Sequence, residues 1–292
     1  MVKCACMLVE KTRKEQDMEA DIKSIECIAN RIRAEVVRMV GPATPGHFGG
    51  SFSLAEIVAA LYFNVMRIDP KNPSWPDRDR LILSKGHAGL VQYAALALAG
   101  YFPVEELYTL KKLGSRLQGH PDLTKLPGIE ANTGSLGQGL SVACGLAAGL
   151  RLDKRPSRVY CVVGDGELAE GQIWEAAMAA RVHKLDNLTA ILDYNTVQAM
   201  GPVKDRFDTT PYREKWQSFG WNTIDADGHN VRNVIDSLAV AAAVKGMPTI
   251  IIAHTIKGKG LDYAEGNAAY HNGTLTEEQC RLAVDLFMSK SN

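Results

Sequence analysis

Two polar residues, Asp165 and Asn195, have the types and spacing of an oxygen-ligand site. Asp165 lies in a Gly-Asp-Gly turn after an apolar run at residues 159–163, and Asn195 follows a second apolar run at residues 188–192. Between the runs, residues 169–183 are rich in Ala and Glu and lack proline, which is typical of a helix. This strand-helix-strand unit predicts parallel neighbouring strands joined by a right-handed crossover. Both residues should therefore face one another at the carboxyl edge of a sheet, where open α/β sheets bind ligands.

The same turn also fits a dinucleotide-binding pattern. Gly164, Gly166 and Ala169 match G-x-G-x-x-A, and Asp193 ends the next strand in the place of a ribose-binding acid. However, Asp165 would stand inside the turn that must approach the diphosphate. A carboxylate repels a diphosphate unless a divalent cation lies between them. The electrostatics therefore argue against a dinucleotide-binding dehydrogenase.

A hard cation between carboxylate and diphosphate removes this conflict. Mg²⁺ prefers oxygen ligands in an octahedral arrangement. The Asp165 carboxylate, the Asn195 amide oxygen and the Val197 carbonyl are the expected protein ligands.

Six sequence motifs carry a resemblance to a known family. The GDG turn, followed about thirty residues later by Asn, resembles the diphosphate-binding motif of thiamine-diphosphate enzymes, and GDGELAEGQIWEAA resembles the transketolase version of it. The other five motifs occur in the family's order: GHFGGSFS (46–53), SKGHA (84–88), GHPD (119–122), TGSLGQGL (133–140) and TIKGKG (255–260). The resemblance covers about residues 20–275. It implies an α/β fold of three layers, α/β/α, with a mostly parallel sheet that binds thiamine diphosphate.

The resemblance implies both the cofactors and the residues that contact them. Thiamine diphosphate is expected with Mg²⁺, for which Ca²⁺ or Mn²⁺ could substitute, and the metal ligands are Asp165, Asn195 and Val197. The residues expected to bind the cofactor are His87, Gly134, Ser135, Leu136, Gly164, Asp165, Gly166, Glu170, Asn195 and His271.

Four of the seven histidines lie in Gly-, Ser- or Asn-containing turns, namely His47, His87, His120 and His271. Imidazole can donate hydrogen bonds to hydroxyls and diphosphate and can move protons near neutral pH. The resemblance implies catalytic or substrate contacts for His47, His120 and His271, and a place near the cofactor for His87.

Two positions depart from the family motifs, and two histidines lie outside the site that these motifs imply. Phe48 stands where ordinary transketolases usually have the proline of GHPGG, and Ser135 replaces the proline of GPLG. Both departures bear on the sugar specificity. His183 and His229 are expected to be structural or surface residues.

The resemblance implies a two-subunit enzyme, because a full transketolase is more than twice as long and no match to its second domain is present. The expectation is the N-terminal subunit of a split transketolase, a transferase that moves a two-carbon ketol unit from a ketose phosphate to an aldose through a thiamine-diphosphate ylid. A C-terminal, pyrimidine-binding subunit would supply the activating glutamate, giving an α2β2 heterotetramer. The alternatives are the α subunit of a 2-oxo-acid dehydrogenase, a ketol transferase for a branched or sulfonated sugar, and a noncatalytic interaction protein.

Composition limits the class of protein. The chain has 292 residues, 46% of them apolar, with 33 basic and 33 acidic residues. This balance argues against nucleic acid or a membrane as partner. The cysteines lack a CxxC pair, which favours reduced thiols in a cytoplasmic protein. We expect an N-terminal arm at residues 1–20 and a single thiamine-diphosphate-binding domain at residues 21–292.

Further elements follow from local patterns. Apolar spacing predicts an amphipathic helix over residues 21–40, a first strand at residues 80–84 and a strand-helix-strand unit over residues 221–254. Ser53 and Glu56 fit a capping box for a second helix, and Thr276 fits the start of a final helix. Residues 103–132 are expected to be irregular apart from a short helix at 104–112. A stripe of small residues spaced four apart, Gly137, Ser141, Gly145 and Gly149, allows another helix to approach closely, either in the core or from another chain. The resemblance implies the second of these, because the helix lies near the subunit contact in that family.

Overall fold

The computed structural model describes residues 2–291, with side chains from residue 19 onward. The helices are α1 (Val2–Val40), α2 (Phe48–Phe52), α3 (Ala55–Ala60), α4 (Gly89–Ala99), α5 (Gln138–Leu152), α6 (Gly171–Val182), α7 (Tyr212–Ser218), α8 (Val231–Ala243) and α9 (Glu277–Ser289). The strands are β1 (Arg80–Leu83), β2 (Val159–Gly164), β3 (Leu188–Tyr194), β4 (Val197–Gln198), β5 (Gly201–Pro202), β6 (Asn222–Asp227) and β7 (Thr249–His254).

Five strands form one parallel sheet in the order β1-β2-β3-β7-β6. Val159 pairs with Leu188 and Gly164 with Asp193, so β2 and β3 are parallel neighbours, as predicted. The strands predicted from apolar runs are present. Since parallel strands end on the same side, the residues after β1, β2, β3 and β7 share one edge.

Helices cover both faces of the sheet. Alternate strand residues enter two separate apolar clusters: Tyr160 and Val162 pack with α1, α3, α4 and α8, whereas Cys161 and Val163 pack with α5, α6 and α7. Burial on both faces explains why the strands read as continuous apolar runs rather than as alternating ones. The three-layer α/β/α fold is confirmed.

Helix α1 is longer than the sequence predicted. It contains the amphipathic helix expected at residues 21–40, and its backbone begins at Val2. The expected arm at residues 1–20 is thus helical from Val2, while Cys4 and Cys6 lie outside the described side chains. Ile25 and Ile32 are buried beneath α3, α4 and α9. The division between arm and domain stays a prediction.

The capping box predicted at Ser53 and Glu56 is wrong. Helix α3 begins after Leu54, which makes no side-chain cap. The Ser53 hydroxyl instead donates to Asp193 Oδ2 at 2.8 Å, and Glu56 accepts two hydrogen bonds from Arg33 at 2.7 Å each. Burial of charge outweighs local capping here, because an unpaired buried charge costs more than a helix cap contributes.

Two other segments also differ in detail. The short helix expected at residues 104–112 is a 3-10 helix at Val104–Thr109. The loop after β3 contains the antiparallel pair of β4 and β5, which turns Val197 inward. The Thr276 cap is confirmed, with a capping box completed by Gln279. No helix in residues 2–291 has the length and apolar character needed to cross a membrane.

Candidate active site

A cavity of about 160 Å³ opens at the carboxyl edge of the sheet, between the ends of β1, β2, β3 and β7. Its walls combine acids, lysines, imidazoles and backbone, and comprise Lys85, His87, Leu136, Gly164, Asp165, Gly166, Glu167, Asn195, Val197, Gln198, Ala199, Lys257 and His271. Asp165 and Asn195 thus meet at the predicted edge.

The turn after β2 and the turn after β3 are joined through Asp165. The Asp165 carboxylate accepts hydrogen bonds from the backbone N–H of Gly166 at 2.8 Å and of Thr196 at 2.6 Å. The Asn195 Oδ1 accepts from the Val197 N–H at 3.2 Å. Burial, reinforced by the charge of Asp193, raises the pKa of Asp165 to about 6.

Asp193 and Lys85 form a buried ion pair behind the cavity. Lys85 follows β1 and Asp193 lies near the end of β3, so the pair spans the intervening strand β2. Asp193 also accepts hydrogen bonds from Asn195 Nδ2 at 2.8 Å and from the Thr255 hydroxyl at 2.5 Å. Burial alone would raise the pKa of Asp193, but Lys85 and the hydroxyl groups of Thr255 and Ser53 outweigh it and lower that pKa.

Lys257 brings a second buried ammonium group to the cavity from the turn after β7. Its Nζ donates to the Val197 carbonyl at 2.8 Å. Burial, together with the nearby charge of Lys85, lowers the pKa of Lys257 to about 8. Two lysines close to one cavity create a field suited to a polyanion.

Glu167 links the turn after β2 to the end of β1 and the start of α5 by hydrogen bonds. Its carboxylate accepts from the Ser84 hydroxyl at 2.5 Å and from the N–H groups of Gly137 at 2.8 Å and Gly164 at 3.0 Å. These bonds hold the end of β1, the end of β2 and the start of α5 together. Burial raises the pKa of this carboxyl.

The four predicted turn histidines lie together beside the cavity. The His47 ring centroid lies 5.3 Å from that of His87, 5.3 Å from that of His271 and 6.1 Å from that of His120. The His87 and His271 centroids are 5.1 Å apart. The cluster joins segments that are far apart in sequence, so only folding unites them.

Burial lowers the pKa values of the clustered histidines. Desolvation, followed by the charges of His120, Lys111 and Lys257, lowers the pKa of His47 to about 4. The pKa of His271 falls to about 3 for similar reasons, and that of His87 is also lowered. Neutral imidazoles have one donor and one acceptor nitrogen each, which suits them to bind hydroxyls. His271 Nδ1 is buried and has no hydrogen-bond partner among the described residues.

Five predicted site residues lie outside the cavity wall. His47 and His120 belong to the histidine cluster, and Gly134 packs on His120, because a Cβ there would lie 2.7 Å from His120 Cδ2. Ser135 and Glu170 are exposed. Glu170 lies beside Gly137 at the start of α5, where a Cβ on Gly137 would come within 2.7 Å of Glu170 Cβ.

Phe48, one of the two departures from the family pattern, is fully buried beneath the histidine cluster. Its ring packs on Phe52 and Tyr270, with centroids 5.7 and 5.8 Å away. Phe48 therefore packs in the core against the residue before His271 and does not line the cavity.

Sequence reasoning overlooked several residues that define the site. Lys85 and Lys257 occur in the SKGHA and TIKGKG motifs directly after β1 and β7, so their position at strand ends was an available signal. Glu167 is the residue after GDG. Asp193 fitted the sequence patterns only as a ribose-binding acid, and Gln198 carried no signal in the sequence.

The donor set fits a hard divalent cation bound together with a diphosphate. The described residues contain no cluster of three or more His, Cys, Asp or Glu that could hold a metal alone. A cation here would depend on one carboxylate, Asp165, with the Asn195 amide oxygen and the Val197 carbonyl, and on oxygens of a ligand. The raised pKa of Asp165 supports this assignment, because a cation would offset the charge of a buried carboxylate beside Asp193.

The parallel three-layer fold, with a cavity at the carboxyl edge of its sheet, is that of a ligand-binding α/β protein. Residues 24–287 match the family described as transketolase, thiamine diphosphate binding domain. The chain belongs to the transketolase family, whose members are transferases.

Similar proteins include chains named as transketolase subunits and longer chains named transketolase. The chain is 48% identical to the 6-deoxy-6-sulfo-D-fructose transketolase subunit SqwG of Clostridium sp. (strain MSTE9), covering 88% of this chain and 93% of that one. It is 40% identical to an apulose-4-phosphate transketolase subunit of Phocaeicola vulgatus, covering 90% and 93%. Human transketolase is 39% identical, and the match covers 92% of this chain but 43% of that protein.

The solved structure of transketolase from Leishmania mexicana superposes with a TM-score of 0.85 at 34% identity. The superposition covers 90% of this chain and 41% of that chain. These comparisons favour a transketolase over the dehydrogenase alternatives.

Proposed function

We propose that this chain, the N-terminal subunit of a split transketolase, holds thiamine diphosphate and Mg²⁺ at the cavity and transfers a ketol unit only when a C-terminal subunit is present. The observation that carries the proposal is a cavity lined by one carboxylate with no ion-pair partner among the described residues, Asp165, and by two buried lysines, Lys85 and Lys257. This arrangement suits a cation and a diphosphate together. The near full-length match to two proteins named as transketolase subunits supports the split arrangement.

Different residues at the cavity would bind the cation and the diphosphate. Asp165, Asn195 and the Val197 carbonyl would hold the cation, which could be Mg²⁺, Ca²⁺ or Mn²⁺. Lys257 Nζ, which donates to that carbonyl in this structure, would then turn to the diphosphate. Lys257 and Lys85 add positive charge where the diphosphate oxygens would lie. Bound thiamine diphosphate supplies the electron sink that breaking a carbon-carbon bond beside a ketone requires.

The histidine cluster would handle the sugar. With their pKa values lowered, His47 and His271 are neutral at pH 7 and each has one nitrogen able to accept a proton and one able to donate a hydrogen bond. His120, the exposed member of the cluster, would contact sugar hydroxyls. His87 lines the cavity and would face the cofactor.

A sulfonated ketose is the second candidate donor beside a ketose phosphate. The 48% identity to a subunit named for 6-deoxy-6-sulfo-D-fructose, against 40% for the apulose-4-phosphate subunit, favours it. A branched sugar is then the less favoured alternative. In a ketose phosphate and in a sulfonated ketose alike, the ketol group would contact the same neutral histidines.

The proposed assembly is an α2β2 heterotetramer located in the cytoplasm. Four cysteines, Cys27, Cys144, Cys161 and Cys280, are free thiols among the described side chains, which supports a reducing compartment. Val142 and Leu152 on α5 and Met178 and Val182 on α6 are exposed apolar residues, which supports a subunit contact there.

Co-expression with the pyrimidine-binding subunit tests the proposal. The purified single chain should show no ketol transfer with thiamine diphosphate and Mg²⁺, and addition of the partner should restore it with saturation. The donors to compare are fructose 6-phosphate, 6-deoxy-6-sulfofructose and a branched ketose phosphate. Full turnover by the single chain would refute the split arrangement, and no turnover of any donor by the complex would refute ketol transfer.

A further inference from the structure

Three side chains form a hydrogen-bonded relay from α1 to the turn after β7. Arg33 on α1 donates from Nη1 and Nη2 to the two carboxylate oxygens of Glu56, both at 2.7 Å, and also to the Phe52 carbonyl at 2.9 Å. Glu56 Oε2 lies 3.1 Å from His229 Nδ1. Arg33 and Glu56 are buried, and His229 is half-buried. Thus both oxygens of the Glu56 carboxylate have hydrogen-bond partners.

The second ring nitrogen determines the tautomer of His229. The backbone N–H of Ile256 donates to His229 Nε2 at 2.8 Å. A backbone N–H can only donate, so Nε2 accepts, and Nδ1 carries the hydrogen and donates a hydrogen bond to Glu56 Oε2. The imidazole is therefore held at both nitrogens and cannot rotate without breaking a bond.

The relay ends one residue before Lys257. The turn at residues 255–258 is also tied by the Gly258 N–H, which donates to the Gly49 carbonyl at 2.9 Å, and by the Thr255 hydroxyl, which donates to Asp193. In this turn the acceptor for Ile256 N–H is a side chain, not a backbone carbonyl. Removing the imidazole would leave that amide without its partner while the other ties remain.

We propose that His229 is a positioning residue for the cofactor site. Through the Ile256 N–H it sets the turn that carries Lys257, and so places the Lys257 ammonium at the cavity, where the diphosphate would lie. This inference rests on the proposed function and extends it to a residue outside the cavity. It differs from the sequence-based expectation that His229 is only structural or lies on the surface.

Two substitutions separate the hydrogen bonds of His229 from its packing. His229→Phe keeps a ring but has neither nitrogen, whereas His229→Gln can still donate to Glu56 and accept from Ile256. Calorimetry of the full-length chain with thiamine diphosphate at fixed Mg²⁺ should give about tenfold weaker binding for the Phe variant. The Gln variant should stay within about threefold of wild type, because its bonds are retained. His254→Phe, at the exposed end of β7, is the matched control and should bind as wild type.

A double-mutant cycle shows whether the effect passes through Lys257. In a Lys257→Met background, His229→Phe should weaken binding by less than about twofold, because the group it positions is gone. An equal loss in both backgrounds would overturn the proposal in favour of a general structural role. Wild-type affinity of His229→Phe would overturn it as well.

A measurement without cofactor keeps this inference separate from the proposed function. The acetylation rate of Lys257 by acetic anhydride, followed by peptide mass spectrometry, should rise in His229→Phe and stay unchanged in His254→Phe. An unchanged rate in a folded His229→Phe chain would contradict positioning. Failure of the wild-type chain to bind thiamine diphosphate would instead contradict the proposed function. Circular dichroism checks folding, and His229→Leu replaces the Phe variant if that one does not fold.

Discussion

Two buried carboxylates of the site, Asp165 and Asp193, have pKa values that are shifted in opposite directions. Lys85 and three neutral donors surround Asp193, and they lower its pKa despite burial. Asp165 accepts only two backbone N–H groups and feels the charge of Asp193, so its pKa rises to about 6. The contrast follows from contact: Asp193 forms an ion pair with Lys85, whereas Asp165 has no bonded cation among the described residues.

The first prediction concerns Asp165. Asp165→Ala should abolish Mg²⁺-dependent binding of thiamine diphosphate by the assembled enzyme, because the remaining ligands are neutral oxygens. Titration calorimetry with and without Mg²⁺ measures this. Asp236→Ala, which changes an exposed carboxylate on α8, should bind as wild type. Wild-type affinity of the Asp165 variant would defeat the metal assignment.

The second prediction separates substrate contacts from cofactor contacts among the histidines. His47→Ala and His271→Ala should each lower kcat/KM by more than about threefold, while thiamine diphosphate affinity changes less. Steady-state kinetics of the two-subunit enzyme and calorimetry supply the two readouts. His183→Ala, an exposed position after α6, is the control. Smaller effects at both cluster positions would make them bystanders.

The third prediction follows from the lowered pKa of His47. This pKa is about 4 when folded, below the value of 6.5 for an unperturbed histidine. Between pH 4 and 6.5 the unfolded chain therefore binds more protons, and stability should fall as the pH drops through this window. NMR titration of the ring should place the midpoint near 4, and a midpoint near 6.5 would contradict the neutral cluster.

At the scale of elements, the Lys85–Asp193 pair ties the end of β1 to β3 across the intervening strand β2. Both side chains are almost completely buried. Breaking such a pair leaves one charge without a partner in a region that water does not reach. Replacing one partner of the pair should therefore lower the free energy of unfolding more than replacing both partners by apolar residues.

The fourth prediction uses this asymmetry. Asp193→Ala should lower the free energy of unfolding by about 3–5 kcal/mol, because Lys85 is left buried and unpaired. The double variant Lys85→Met/Asp193→Leu should be less destabilised than Asp193→Ala. Asp285→Ala, which breaks the exposed Arg281–Asp285 pair, should change stability by less than about 1 kcal/mol. Urea unfolding compares the three, and a small effect of Asp193→Ala would contradict the buried-pair account.

At the scale of the whole molecule, α5 and α6 present an apolar outer face. Val142, Leu152, Met178 and Val182 are exposed there, Leu152 by 83%. The small-residue stripe changes character along α5: Gly137 packs against Glu170, whereas a Cβ on Gly145 or Gly149 would meet nothing within 4 Å. The later part of the stripe is thus outside the core of the chain. This supports the predicted contact with another subunit.

The fifth prediction tests that contact. Gly145→Leu should leave the isolated chain folded, since the added side chain meets open space and leucine favours a helix. It should impair assembly with the partner subunit and lower activity in parallel, because a close helix contact cannot accommodate it. Size-exclusion chromatography, circular dichroism and kinetics measure the three properties. Ala239→Leu, at an exposed position of α8, is the control.

An intact heterotetramer of Gly145→Leu with normal activity would contradict an interface at α5. An unfolded chain would show that the stripe packs in the core. The two outcomes are distinguishable because folding is measured on the isolated subunit.

The sequence by itself determined the sheet and the motif at its centre. Strands buried on both faces must be apolar throughout, so β2, β3 and β7 were readable as continuous runs. The order of strand and helix then required a parallel sheet, and with it the meeting of Asp165 and Asn195 at one edge. These inferences needed only local patterns and the geometry of the peptide chain.

Only the tertiary structure decided which distant side chains share one environment. Glu56 reads locally as half of a capping box, yet it pairs with Arg33 because both are buried together. Lys257 and Lys85 reach one cavity from opposite sides of the strand order, and His229 supports the first of them from another loop. Burial and charge pairing depend on through-space distances that local sequence does not encode, so these partners emerge only when the layers pack.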